Sequence, residues 1–179
     1  MPKEYNRIKD MLFWEEKRKN CNCGSFALGV DSWFLPLSGG ECYEDREELI
    51  RELYCEGYSR DDILGILLEK DEECILALCP WIEPIAKEDI KPEDTIVVYR
   101  LALELDEQYN EIDDEDYLDY IDEDFHFRIR LEGIWYDKCG ITEIEICDEQ
   151  DEDLEDPWHT RYGVIYDSEI RYFRHKEKI

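Results

Sequence analysis

The stretch TIVVYRLALEL, residues 95–105, runs almost unbroken through β-branched, aromatic and aliphatic side chains, with Arg100 and Glu104 as its charged members. A half-buried strand alternates apolar with polar residues; a run without alternation reads as a strand covered on both faces. This segment is therefore the interior of a sheet, and the remaining elements have to be arranged around it.

The chain N-terminal to this strand is helical. Residues 3–19 form a short charged helix with Ile8, Met11 and Leu12 on one side, and Asn22 is a good N-cap for a second helix that begins at Cys23 and turns Phe26, Ala27 and Val30 inward. Gly29 and the loop SWFLPLSGGE end that pattern. Leu49, Ile50 and Leu53 give residues 44–56 a helical spacing that stops at Gly57. Ser59 caps a further helix with Ile63, Leu64, Leu67 and Leu68 on its core face. CILALCPW reads as a short strand ended by Pro80, and the Pro84 to Pro92 region as a connection.

The C-terminal half is β-rich but interrupted. Residues 106–124 hold eleven acidic side chains and no basic one, a self-repelling segment expected to be a solvated loop or marginal helix outside the sheet. FHFRIRLEGIWYDK then alternates as a hairpin, ITEIEIC as another strand, and RYGVIYDSEIRYFRHK alternates again after a second acidic run at 148–156. Helices first and antiparallel strands later predict an α+β domain with segregated layers. At 179 residues the chain is one domain, 1–179, carrying the two acidic insertions.

Charge limits the partners. Forty-nine acidic against 21 basic residues leave a net charge of −28, which disfavours nucleic acid and favours a basic partner or substrate. No apolar window is long enough for a membrane span and the N-terminus lacks a secretory pattern, so a cytoplasmic location is expected. The eight cysteines then read as mostly reduced, with Cys21, Cys42, Cys55, Cys74, Cys79 and Cys147 assigned to packing. His159 and His175 read as surface residues, and no metal or other cofactor is expected, because the Cys and His spacing matches no paired zinc motif.

The hairpin allows a geometric prediction. With Glu132 and Gly133 as its two-residue turn, Leu131 faces Ile134, Arg128 faces Asp137 and His126 faces Cys139. Strand alternation then puts His126, Arg128 and Arg130 on one side, joined by Trp135, Asp137 and Cys139. Asp137 becomes the diagonal neighbour of His126, able to orient the imidazole and favour its protonated form. Cys23, at the first turn of its helix, sits where a thiolate is favoured, and the small Gly24 and Ser25 are expected to leave room for a substrate carbonyl. Trp135 is a candidate floor for a substrate groove.

A helix-borne Cys, a later strand-borne His and a third residue on the adjoining strand match the order of papain-like thiol hydrolases. NCGSFAL, DFHF and GIWYDKCG resemble the Asn-Cys-x-x-aromatic-Ala-Leu, Asp-x-His-aromatic and Gly-x-Trp-x-x-Lys-x-Gly pattern of small phage and bacterial proteins related to the NlpC-type branch of that superfamily. The resemblance implies a papain-like fold, with Cys23 as nucleophile, His126 as base and Asp137 as orienter, acting on a peptide or amide. Where that family more often has Ser-His-Lys-Pro-Gly, this chain has Tyr136, Asp137, Lys138, Cys139 and Gly140. The alternative expectation is an inactive acidic protein that occupies a basic, nucleic-acid-binding site on a partner, as a phage anti-defence protein would.

Overall fold

The structure, a computed structural model, describes residues 11–17, 19–36, 43–105, 121–147, 154–159 and 163–176. Expectations for residues 3–10, for Cys42 and for most of the two acidic insertions, 106–120 and 148–153, lie outside the described residues.

Four α-helices precede the sheet among the described residues: α1 (Met11–Lys17), α2 (Cys23–Leu28), α3 (Tyr43–Cys55) and α4 (Arg60–Leu78). In α1 the core residue is Trp14, fully buried and edge-on to Phe26 at 5.8 Å, whereas Leu12 is 78% exposed. The side on which Leu12 lies therefore faces outward. An indole buries far more apolar surface than a leucine, so the helix is turned to seat Trp14. Gly57 comes after α3 in the left-handed region at φ 92°. α4 opens with a capping box between Ser59 and Asp62.

The strand expected in CILALCPW is instead the end of α4. Ile63, Leu67, Asp71 and Ile75 recur every four residues on its buried face, and no glycine or proline interrupts the helix between Gly65 and Pro80. Asp71 is buried there because Arg46 donates to both of its oxygens and the Tyr99 hydroxyl donates to one.

Eight strands complete the described fold: β1 (Ile82–Pro84), β2 (Ile96–Leu105), β3 (Ile121–Leu131), β4 (Ile134–Lys138), β5 (Ile144–Ile146), β6 (Trp158–His159), β7 (Ile165–Tyr166) and β8 (Arg171–His175). Six form an antiparallel sheet in the order β1-β8-β2-β3-β4-β5, and β6 pairs with β7 apart from it. The architecture is α+β, as expected. β2 is buried from Ile96 through Leu103. Val97, Tyr99, Leu101 and Leu103 join the helical core, while Ile96, Val98 and Ala102 meet Trp158 and Tyr166 from the small second sheet. The unbroken apolar run thus answers to two different layers.

The acidic segment does not stay wholly outside the sheet, because Ile121, Asp122, Glu123 and Asp124 open β3 and pair with Leu105 through Ala102. Two of these acids have partners that offset their repulsion: Arg46 lies 2.7 Å from Glu123, and the Tyr166 hydroxyl donates to Asp124 at 2.7 Å. His175 is also not at the surface. It is 4% exposed at the end of β8, its Nε2 3.0 Å from the Ala27 carbonyl of α2, and burial pushes its pKa down to about 4. Of the cysteines assigned to packing, Cys55 is exposed instead, because it lies on the outer side of the last turn of α3. The seven described cysteines are all free thiols, and no helix among the described residues is long and apolar enough to cross a membrane.

Candidate active site

The site forms where β3 and β4 part. Glu132 (φ 52°) and Gly133 (φ 82°) make the two-residue turn with both residues in the left-handed region, the twist-matched geometry for a tight hairpin. The register is the one the sequence predicts: Leu131 opposite Ile134, Arg130 opposite Trp135 and Arg128 opposite Asp137. Pairing stops at Arg128 and β4 ends at Lys138, so beyond that point β3 has β2 on one side and an opening on the other. The N-terminus of α2 enters this opening.

Asn22 sets the position of α2. Its Oδ1 accepts from the Ser25 N–H at 3.0 Å, the Ser25 hydroxyl accepts from the Asn22 N–H at 3.1 Å, and its Nδ2 donates to the Phe34 carbonyl at 2.6 Å. The cap therefore ties the first turn of the helix to the loop that returns past it. Gly29, at φ 74°, closes the other end after fewer than two full turns. Such a short helix gains little from its own hydrogen bonds, so its placement rests on packing. Phe26, Ala27 and Leu28 are buried, and the Phe34 ring meets Phe127 edge-on at 6.0 Å.

Cys23, the first helical residue, is 5% exposed and comes within hydrogen-bonding reach of the His126 ring. On the ring's other side Nε2 lies 2.5 Å from Asp137 Oδ1, which leaves Nδ1 as the nitrogen for the thiol. Burial alone would lower the imidazole pKa, but the charge and hydrogen bond of Asp137, with the thiol, carry it well above the ordinary value. Burial likewise opposes ionisation of Asp137, and His126, followed by Arg128 at 3.4 Å, holds its carboxyl below the usual range. The Tyr166 ring lies 5.3 Å from the imidazole, tilted by 31°, and Trp158 stands edge-on at 6.1 Å. The small second sheet thus roofs the histidine.

A cavity of about 360 Å³ opens over this group, lined among the described residues by Cys23, His126, Cys139 and Asp124 with the apolar Trp33, Leu35, Ile141 and Val164. Cys139 lies just past the end of β4, so the expected pairing opposite His126 is not formed, yet it lines the cavity wall; burial and the neighbouring Asp137 push its thiol pKa up, so it is held as a thiol. Lys138, on the opposite face of β4, is buried and donates to the Gly140 carbonyl at 2.5 Å, which fixes the turn carrying that wall.

Gly24 and Ser25 do not open the site. A Cβ on Gly24 would stand 2.9 Å from the Phe34 ring and 3.2 Å from that of Phe127, so the glycine serves the close approach of helix to sheet. Ser25 is fully buried in the cap network. Trp135 does not floor the cavity either. It lies under Arg130, 5.9 Å from the guanidinium, two positions up the strand from Asp137. Trp33, Tyr166 and Asp124 line the cavity in its place. Asp124 could have been found from the sequence, because it is two residues before His126 and so shares its face; Tyr166 and Trp33 carry no local signal.

His126, Asp137 and Cys139 offer three donor atoms within 4.8 Å of one another. Two ligands at about 2.0 Å on a tetrahedral zinc stand roughly 3.3 Å apart. His126 and Asp137 are 2.5 Å apart and bonded to each other, closer than two ligands of one zinc ion would stand. Comparison of the chain with protein-family models, curated proteins and solved structures gives no match.

Proposed function

We propose that this protein is a cysteine hydrolase acting on an amide or ester, with Cys23 as nucleophile, His126 as general base and acid, and Asp137 as the residue that orients the imidazole. The observation that carries this reading is the chain of contacts from thiol to imidazole to carboxylate, with the thiol and the imidazole lining an open cavity. The order of these groups along the chain supports a papain-like arrangement of the α+β fold.

In this mechanism the Cys23 proton passes to His126 and the sulfur attacks the substrate carbonyl. The carbonyl π electrons move to oxygen, where the Cys23 N–H, which has no acceptor within its own helix, stabilises the oxyanion. When the oxyanion collapses, the C–N or C–O bond breaks and His126 returns the proton to the leaving group, which leaves a thioester. Water, deprotonated by the same imidazole, hydrolyses the thioester and restores the thiol. Asp137 stays ionised throughout and stabilises the imidazolium.

Iodoacetamide alkylation tests the reading. Cys23, though nearly buried, should react at least about tenfold faster than the exposed Cys55, and His126→Ala should abolish that advantage. Labelling ordered by exposure alone, with Cys55 first, would refute it. A second reading rests on the charge of −28: an acidic surface that occupies a basic site on a partner protein. Binding to such a partner would survive Cys23→Ala and weaken steeply with salt.

A further inference from the structure

We infer that the cavity selects substrates bearing a positive charge close to the scissile carbonyl, and that Asp124 is the residue that reads it. This inference rests on the proposed hydrolase site and names its substrate class: cationic amides or esters with an apolar flank.

Asp124 lies two residues before His126 on β3, so its side chain leaves the same face of the strand about 6.6–6.8 Å away. It is exposed and lines the cavity that holds Cys23 and His126. Its geometry is fixed. Oδ2 accepts from the Tyr166 hydroxyl at 2.7 Å and Oδ1 from the Phe125 N–H at 2.8 Å. Each carboxylate oxygen has a further lone pair to offer, and both protein donors are neutral, so the negative charge has no cation balancing it in these contacts. Among the described residues that line the cavity there is no lysine or arginine, and the one imidazole there, His126, is already paired with Asp137. The contrast with Asp137 is direct, since that carboxylate is spent on His126 and Arg128. A cation docked on Asp124 would be a few bonds from a carbonyl at Cys23, and Trp33, Ile141 and Val164 would cover its apolar flank. An anionic substrate would meet a fixed like charge in the same place.

Methanethiosulfonate reagents of opposite charge test this without a known substrate. The Cys23 thiolate attacks the sulfenyl sulfur, the S–SO₂ bond breaks and methanesulfinate leaves. Aminoethyl and sulfonatoethyl reagents would be compared at Cys23 by site-resolved mass spectrometry, with Cys55 reporting the general field of the acidic surface. The cationic reagent should react at least about tenfold faster at Cys23, and Asp124→Asn, which keeps the acceptor for Tyr166, should cut that ratio about three- to tenfold while leaving the Cys55 ratio unchanged. A Cys23 ratio unmoved by Asp124→Asn, or one that moves together with that of Cys55, overturns the inference. Neutral methyl methanethiosulfonate separates the two levels. His126-dependent reaction of Cys23 with it, alongside a flat charge ratio, rejects cation selection alone, whereas loss of His126 dependence rejects the hydrolase reading beneath it.

Discussion

His126 and His175 are buried to nearly the same degree, 3% and 4% exposed, on strands of the same sheet, and both touch α2. His126 meets Cys23 at the start of that helix and His175 meets the Ala27 carbonyl near its end. Yet the first has its pKa raised well above the ordinary value and the second is held down to about 4. Burial disfavours the imidazolium in both, so the sign is decided by the partner: a carboxylate at 2.5 Å outweighs desolvation, and a neutral carbonyl at 3.0 Å does not. One histidine is equipped to move a proton. The other is a neutral side chain that contacts α2, the helix that carries Cys23, far from the thiol's end.

The sharpest way to break this contrast is to remove the carboxylate. Asp137→Asn should turn His126 toward the state of His175, lowering its pKa and reducing turnover of a p-nitrophenyl ester about 10²- to 10⁴-fold. His175→Gln should leave that rate within about threefold, since His175 touches no reacting group.

The next effect is on stability. Unfolded His175 protonates near pH 6.5 while the folded form resists until about pH 4, so the unfolded state binds more protons across that window and stability falls as pH falls. The loss should reach about 3 kcal/mol by pH 4, and His175→Gln should remove that component when urea midpoints are compared at pH 6.5 and 4.5. His126 has the opposite sign: its contribution is complete below pH 6.5 and is lost as pH rises through its raised folded pKa. That of Asp137 is present above its unfolded pKa and lost only as pH falls through its depressed folded value.

The smallest effect concerns the helix between the two histidines. Gly24→Ala should lower stability by about 1–2 kcal/mol in thermal denaturation, because the Phe34 and Phe127 rings must move. Gly65→Ala, in α4 with nothing within 4 Å of its added Cβ, should raise it by about 0.5–1 kcal/mol. Equal effects at the two glycines would deny that α2 is held by close approach to the sheet.

Those parts of the molecule set by local rules could be read in the sequence. Strand alternation and a two-residue turn suffice to put Asp137 beside His126, and Asn22 as an N-cap suffices to start α2 at Cys23. Features set by distant partners could not. Asp122 to Asp124 read as repulsive because Arg46 and Tyr166, far away in sequence, supply the compensating contacts. His175 gave no sign of burial because the α2 carbonyl it meets is 148 residues earlier. Gly24 looked like open space for a substrate and is in fact filled by two rings that only the folded chain brings to it.

The turn at Glu132 and Gly133 has a reach beyond its own two residues. Along β4 the side chains alternate Tyr136, Asp137, Lys138, so the phase of the hairpin alone selects whether a phenol, an anion or an ammonium stands next to the imidazole. A shift of one residue at that remote bend would put a neutral phenol or an ammonium where His126 now meets a carboxylate, while every chemical group stayed in the sequence, which makes loop length as strict a requirement for the proposed site as the identity of the cysteine.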